Sequence, residues 1–210
     1  MVEMIRPMDI EKRSMEIIEE GLGGRRWPEP EFSVVKRCIH TSADFDYADN
    51  LRFSEGAAET GVKALRNGAH IVTDTTMAAS GINKRMLGKY GGEVHCFIGD
   101  RDVAERAGMS GRTRSAVSMD KASNLDVPVI FAIGNAPTAL MRLKELIDEG
   151  KVRPELVIGV PVGFVNVVES KELITEADVP YIVAAGRKGG SNIAAAICNA
   201  LLYHGAESRL

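Results

Sequence analysis

The fold of this chain is indicated most clearly by "VPVIFAIGNAPTALMRLKELIDEG", residues 127–150. Its first part is a short apolar run rich in β-branched residues, which predicts a buried strand ending at Gly134. Pro137 suits the first turn of a helix, and Gly150 suits the end of one. A strand followed directly by a helix is the repeating unit of a parallel sheet.

The same strand–helix unit recurs on both sides of this stretch. Further strands are predicted in "AHIVTD", "EVHCFIG", "ELVIGVPV" and "PYIVAAG", each followed by a helical pattern. Five such units predict a parallel sheet covered by helices on both faces. We therefore expect an α/β fold, a three-layer doubly wound parallel sheet, within one domain that covers residues 1–210.

The residues before this repeat predict a helical N-terminal arm. "DIEKRSMEIIEEGLGG" predicts a first helix, with Asp9 as its N-cap and Gly21 at its end. Its apolar stripe is expected to contain Ile10, Ile17 and Ile18, with Ser14 on the same face.

A second helix is predicted after "WPEPE". Phe32, Val35 and Ile39 share one of its faces. Arg37 and His40 lie three positions apart on this helix, so both side chains can point the same way.

Composition narrows the class of protein. The chain has 210 residues, 45% of them hydrophobic and 26% charged, which is ordinary for a globular protein. A formal net charge of −3 gives no indication of a nucleic-acid partner. The N-terminus lacks the apolar core of a signal peptide, and no stretch is long and apolar enough for a membrane span. We expect a soluble, cytoplasmic protein, with Cys38, Cys96 and Cys198 as buried thiols.

The ends of the predicted strands are rich in Gly, Pro, Asn and small hydroxyl residues. They read "TDTTMAASGI", "IGDRD", "IGNAPTAL", "GVPVGFVN" and "AAGRKGGSN". Backbone N–H groups at helix N-termini attract anions, so several such loops at one sheet edge suggest a site for a ligand with many carboxylates or phosphates. The alternative is that these residues serve turn geometry alone.

Motifs for several other classes of site are missing. The chain lacks G-x-G-x-x-G, the phosphate-binding P-loop and the G-x-S-x-G nucleophile elbow. His70, His95 and His204 have no second ligand at i+2 or i+4, so no zinc site is expected.

His40, in "VVKRCIHTSADFDYADNLRF", has two interpretations. It follows an apolar helical pattern and precedes two hydroxyl residues and three acids, which suits a helix-end histidine capped by polar neighbours. The same environment suits an acid–base group of an active site, with Asp44 and Asp46 as candidates to tune its proton affinity.

Six motifs, in order, resemble one enzyme family. They are "RPMDIEKRSMEII", "VVKRCIHTSADFDYADNLRFSEGA", "TDTTMAASGI", "AIGNAPTAL", "PELVIGVPVGFVNVVESKE" and "GRKGGSNIAAAICNALLY". Together they closely resemble the precorrin-8X methylmutase family of cobalamin biosynthesis, over about residues 4–204. The resemblance implies an isomerase that moves a methyl group from C11 to C12 of (cobalt-)precorrin-8 by a 1,5-sigmatropic shift, giving hydrogenobyrinate or cobyrinate.

The resemblance also implies roles for particular residues. His40 matches the family's catalytic histidine, whereas Ser14 and Arg37 match its substrate-binding residues. No cofactor or methyl donor is implied, and any cobalt belongs to the tetrapyrrole substrate. The implied fold is flavodoxin-like, and the implied assembly is a homodimer with the site near the subunit interface. Two rival interpretations are a corrinoid carrier that keeps the cleft without the chemistry, and a flavin or nucleotide protein suggested by fold analogy.

Overall fold

The computed structural model describes Arg6 and residues 9–205. This part of the chain forms a mixed α/β structure with one six-stranded sheet and eleven helices. The strands are β1 (Leu51–Phe53), β2 (His70–Thr73), β3 (Val94–His95), β4 (Val129–Ile133), β5 (Leu156–Gly159) and β6 (Tyr181–Ala184). The helices are α1 (Ile10–Gly21), α2 (Glu31–Ser42), α3 (Tyr47–Asn50), α4 (Ala57–Arg66), α5 (Thr76–Gly81), α6 (Lys84–Lys89), α7 (Arg101–Ser110), α8 (Arg114–Ala122), α9 (Pro137–Asp148), α10 (Val167–Thr175) and α11 (Ser191–Tyr203).

The strand order across the sheet is β1-β6-β5-β4-β2-β3. The five strands predicted from sequence, β2 to β6, are parallel to one another, which confirms that prediction. The chain runs from β2 outward to β3 and then returns to place β4 on the other side of β2. The winding direction therefore reverses between β2 and β4, and open α/β sheets bind ligands beside such a reversal.

Strand β1, which pairs antiparallel with β6 at the edge of the sheet, was not predicted from the sequence. It has only three residues, Leu51 to Phe53, and only Leu51 is buried. A strand this short is fixed by its pairing partner rather than by its own alternation pattern.

Both faces of the sheet are buried under helices. All five residues of β4 are buried, and alternate ones contribute to two separate hydrophobic clusters. Ile130 belongs to the cluster that includes Ile197 of α11, whereas Phe131 belongs to the cluster that includes Leu143 of α9. A strand buried on both sides has no polar face, which explains the continuous apolar run in the sequence.

The first helix agrees only in part with its predicted stripe. Ile18 is buried, but Ile10 and Ile17 are 52% and 47% exposed, so the predicted three-residue stripe is wrong. The Asp9 side chain accepts a hydrogen bond from Arg6 and makes no side-chain cap to the helix. Gly21 is the last helical residue, as predicted.

The second helix packs against α11 of the same chain. Phe32, Val35 and Ile39 are buried, which confirms the predicted apolar face. The N-terminal helices α1 and α2 therefore pack on the α/β core of the same chain rather than extending away from it. The thiols of Cys38 and Cys198 are buried, whereas Cys96 is only partly buried, which corrects the prediction for that residue.

Candidate functional site

His40 lies in the last turn of α2, and its side chain is exposed. The opposite face of this turn is anchored by the buried Cys38 and Ile39. The helix ends because Ala43 adopts the left-handed conformation (φ 54°), and the Ser42 hydroxyl donates to the Cys38 carbonyl at 2.8 Å. Hence His40 is held on a rigid helix end with its imidazole towards solvent, a position open to a large ligand.

The segment after His40 is fastened to the loop between β6 and α11. Lys188 in that loop donates to carboxylate oxygens of Asp44 (2.5 Å) and Asp46 (2.6 Å). The hydrogen bond from Lys188 holds the pKa of the Asp44 carboxyl below its usual range. Asp44 and Asp46, expected from sequence as candidates to tune His40, are thus engaged by Lys188. This contact brings the His40 region to the carboxyl-terminal edge of the sheet.

Arg37 and Ser14 both lie where α1 meets α2. The Arg37 guanidinium donates to the Glu11 carboxylate at 2.9 Å, and Glu11 is one turn before Ser14 on α1. The Ser14 hydroxyl donates to the Ile10 carbonyl at 2.9 Å within its own helix. The structure therefore brings the two predicted binding residues to neighbouring helices, with protein groups as their present partners.

Arg37 also lines a small cleft with residues that include Met15 and Tyr203. The volume of this cleft is about 100 Å³. Sites for small-molecule ligands usually span about 300–1,000 Å³. This cleft is therefore too small to hold a tetrapyrrole, and it accommodates at most one peripheral group of such a ligand.

Asp74, directly after β2, is the most deeply buried carboxylate at the carboxyl edge of the sheet. It accepts hydrogen bonds from the backbone N–H groups of Gly134 (2.9 Å), Asn135 (2.9 Å) and Ala136 (2.7 Å). Burial raises the pKa of the Asp74 carboxyl, and the three N–H donors oppose that shift.

This arrangement corrects the prediction that the "IGNAPTAL" loop offers free N–H groups to an anionic ligand. Three of its N–H groups already bind Asp74. Asp74 lies at the winding reversal between β2 and β4, where open α/β sheets bind ligands. The loops after β5 and β6 lie at the same carboxyl edge.

Close packing of glycines holds the loops after β4, β5 and β6 together. A Cβ atom on Gly134 would lie 2.6 Å from Cα of Ser191, and one on Gly189 would lie 2.1 Å from the Val160 carbonyl oxygen. Both distances are impossible for a side chain, so only glycine permits these contacts. The Gly-rich composition of these loops therefore serves packing between loops as well as turn geometry.

Lys171 on α10 was not identified from the sequence as a functional residue. Its side chain is buried, and its ammonium group donates to the carbonyls of Gly186 (2.7 Å) and Lys188 (2.9 Å). Burial lowers the pKa of Lys171 to about 8. Lys171 thus fixes the backbone of the loop that presents Lys188 to the segment after His40.

An apolar surface borders the same edge. In the loop after β5, Phe164 is 84% exposed and Val165 is 78% exposed. The Arg187 guanidinium lies 5.9 Å from the centroid of the Phe164 ring. Large exposed apolar side chains beside a cation suit a flat apolar ligand that carries negative groups, or a protein partner.

A separate cluster combines His70 on β2 with Glu93 and His95. No metal-ligand spacing was recognised here from the sequence, because His70 and His95 lie on neighbouring strands, far apart in the chain. The E-x-H spacing of residues 93–95, which puts both side chains on one face of a strand, was the available signal.

Comparison with known proteins supports the assignment of the chain. The sequence profile of the precorrin-8X methylmutase family matches residues 9–204. The chain is 48% identical over 206 residues to the cobalt-precorrin-8 methylmutase of Salmonella typhimurium, with 95% of this chain and 96% of that protein covered. It is 45% identical over 197 residues to the cobalt-precorrin-8 methylmutase of Priestia megaterium, with coverages of 94% and 88%. The solved structure of precorrin-8X methyl mutase from Thermus thermophilus superposes with a TM-score of 0.84 at 42% identity, covering 92% of this chain and 96% of that one.

These matches first define the class of protein, which is an isomerase of the methylmutase type in cobalamin biosynthesis. The chain belongs to the precorrin-8X methylmutase family. The family predicted from the six sequence motifs is therefore confirmed. Within residues 9–205, no helix combines the length and apolar character needed to cross a membrane.

Proposed function

We propose that this enzyme moves a methyl group from C11 to C12 of (cobalt-)precorrin-8 by a 1,5-sigmatropic shift, with His40 as proton donor and acceptor. The products are cobyrinate, or hydrogenobyrinate when cobalt is absent. Family membership supports the reaction class, and the names of the two relatives favour the cobalt-containing substrate. The observation that carries the role of His40 is its exposed position on a helix end that Lys188 ties to the carboxyl edge of the sheet.

The chemistry requires a group that lends a proton and then takes it back. Protonation of a ring nitrogen, or a hydrogen bond to it, withdraws electron density from the conjugated macrocycle and weakens the bond from C11 to the methyl group. Histidine is the side chain best suited to this exchange at neutral pH. Positioned acid–base catalysis of this kind contributes roughly 10²–10⁴-fold in rate.

We propose that the macrocycle lies on the surface formed by the loops after β5 and β6. Its flat apolar ring matches the exposed Phe164 and Val165, and its acetate and propionate groups match Arg187 and the N-terminus of α11. Neither α10 nor α11 has a side-chain cap at its N-terminus, so backbone N–H groups there suit carboxylates. At the N-terminus of α9, Asp74 already accepts from the N–H groups of Asn135 and Ala136.

We propose that Arg37 and Ser14 bind one peripheral carboxylate of the substrate. Arg37 lies one helical turn before His40 and donates to Glu11. A substrate carboxylate would compete with Glu11 for the guanidinium, whose planar fork favours bidentate carboxylate binding. The Ser14 hydroxyl would turn from the Ile10 carbonyl to the same group.

We further propose a flavodoxin-like, three-layer architecture in one domain and a cytoplasmic homodimer without a bound cofactor. The order of the five parallel strands, read from β3 to β6, corresponds to the flavodoxin-like order 2-1-3-4-5. The two hydrophobic clusters on opposite faces of β4 support three layers. The exposed Phe164 and Val165 support a subunit interface that closes the site.

Replacing His40 with Asn tests the catalytic assignment. The variant should fold and bind product normally, because the substrate carboxylates are bound by other residues. Its single-turnover rearrangement rate should fall by at least about 100-fold. Thr41→Ala, which changes the exposed neighbour in the same turn, should keep the parent rate and controls for disturbance of the helix end.

Two results would contradict this proposal. If a folded His40→Asn variant rearranges substrate at the parent rate, His40 is only a structural residue at the end of α2 and takes no part in the reaction. A parent enzyme that binds product tightly yet turns over neither precorrin-8 nor its cobalt form would instead be a corrinoid carrier.

A further inference from the structure

The two histidines on β2 and β3 converge on one point. Nδ1 of His70 and Nε2 of His95 lie 2.7 Å apart, and the rings are nearly parallel, with centroids 5.0 Å apart. Glu93 joins them, and one ligand atom from each of the three residues lies within 4.8 Å of the others.

Strand geometry explains why the three side chains meet. Ile71 pairs with Val94 and Val72 pairs with His95, so His70 stands opposite Glu93. Residues two apart on a strand share a face, so Glu93 and His95 project to the same side of β3. Since parallel strands lie about 4.8 Å apart, the His70 ring on the neighbouring strand comes within reach of both.

The ring of His95 lies edge to edge with the His70 ring in nearly the same plane, and it is nearly parallel to the Phe97 ring, whose centroid lies 5.8 Å away. The Ile71 N–H donates to the Glu93 carbonyl at 2.8 Å, which fixes the backbone of the third ligand. His70 and His95 are therefore carried by ordered strands, and Glu93 directly precedes β3.

Charge favours metal binding at this point. Glu93 is exposed, so its carboxylate can turn towards a metal at small cost and supplies negative charge.

We propose that His70, Glu93 and His95 form a binding site for a divalent first-row transition ion of the zinc type, with water completing the coordination. Two imidazoles and one carboxylate are a common ligand set for Zn²⁺, at about 2.0–2.2 Å from each ligand atom. Such an ion would join β3, a two-residue edge strand, to β2. The site is separate from His40 and its test is independent of the proposed reaction.

This inference revises the expectation, drawn from the sequence, that the chain has no zinc site. That expectation rested on spacing along the chain, whereas His70 and His95 are 25 positions apart and meet only across the sheet. A pair of hydrogen-bonded histidines without a metal function is the competing interpretation.

Isothermal titration of untagged, metal-stripped parent protein with ZnCl₂ tests the site. We expect one Zn²⁺ per chain and a melting temperature that rises with Zn²⁺. His70→Gln and His95→Gln should each weaken binding by at least about tenfold and abolish the rise in melting temperature. His204→Gln, a change to a histidine outside the cluster, should leave Zn²⁺ binding at the parent value.

A third variant, Glu93→Gln, tests the site if a histidine variant does not fold. Glu93 is exposed, so its replacement should not disturb folding. This variant should fold like the parent and bind Zn²⁺ more weakly. The proposal is overturned if the parent protein binds no Zn²⁺, or if Zn²⁺ binds equally well to the parent and the Glu93→Gln variant.

Discussion

Replacing Asp74 with Asn should destabilise the protein measurably. The Oδ1 atom of Asp74 accepts from Gly134, and its Oδ2 atom accepts from both Asn135 and Ala136. An asparagine has one amide oxygen, so at best it keeps the two bonds on the Oδ2 side and turns its NH₂ group towards the Gly134 N–H. Two buried donors then face each other without an acceptor.

The magnitude follows from that count. A buried donor left without a partner costs about 1–3 kcal/mol, so the two donors together would cost about 2–6 kcal/mol, and we expect a loss at the lower end, about 2 kcal/mol in the free energy of unfolding. For a chain of this size, about 2 kcal/mol corresponds to a fall of roughly 4–8 °C in the melting temperature. The variant carries no charge at position 74, so it avoids the free-energy cost of burying the Asp74 carboxylate. This gain keeps the expected loss of stability near the lower end of the range.

Differential scanning calorimetry and amide hydrogen exchange check this prediction. Exchange at residues 134–136 should accelerate in the Asp74→Asn protein, because one of their N–H groups loses its acceptor. Asp126→Asn, an exposed change just before β4, should alter stability by no more than about 0.5 kcal/mol. An Asp74→Asn protein with the parent melting temperature and unchanged exchange at these amides would refute the reasoning.

Two further predictions concern charged contacts of the site. Arg37→Lys keeps the charge but loses the planar fork proposed to bind a substrate carboxylate, so KM should rise while kcat stays near the parent value. Steady-state kinetics check this, and an unchanged KM would place Arg37 outside the site. Lys188→Met should lower the melting temperature at neutral pH, because Asp44 and Asp46 lose their partner. Lys188 lowers the pKa of Asp44 below its ordinary 3.8, so this stabilisation is fully present above that pH and is lost as the pH falls through the lowered value. The melting temperatures of parent and variant should therefore converge in acid, and a gap that persists at low pH would contradict this account.

Much of the fold could be predicted from local patterns. The five parallel strands and the helices after them could be predicted because a strand buried on both faces of a sheet needs a continuous apolar run. The antiparallel strand β1 could not be predicted, because it has only three residues and depends on its pairing with β6. The exposed Ile10 and Ile17 were also misjudged, because periodicity marks an apolar face without showing whether anything covers it.

The residues of the candidate site remain predictions from the sequence, and the partners of its charged side chains could not be predicted from it. His40, Arg37 and Ser14 were named from the sequence through resemblance to a family. In the structure, Arg37 pairs with Glu11, and Lys188 pairs with Asp44 and Asp46. Partners of charged side chains depend on which surfaces the folded chain brings together, and helical or strand spacing carries no information on this.

The sequence by itself determined the family, the α/β class and the residue expected to exchange the proton. Each of these depends on short, contiguous motifs that can be recognised without the folded structure. Only the tertiary structure decided that Asp74 occupies the N–H groups of a loop 60–62 positions away, and that Lys188 holds a segment up to 144 positions away. It likewise decided that His70, Glu93 and His95 converge. Hydrogen bonds and metal ligands require atoms within about 3 Å in space, and for residues far apart in the chain that proximity arises only when the sheet assembles.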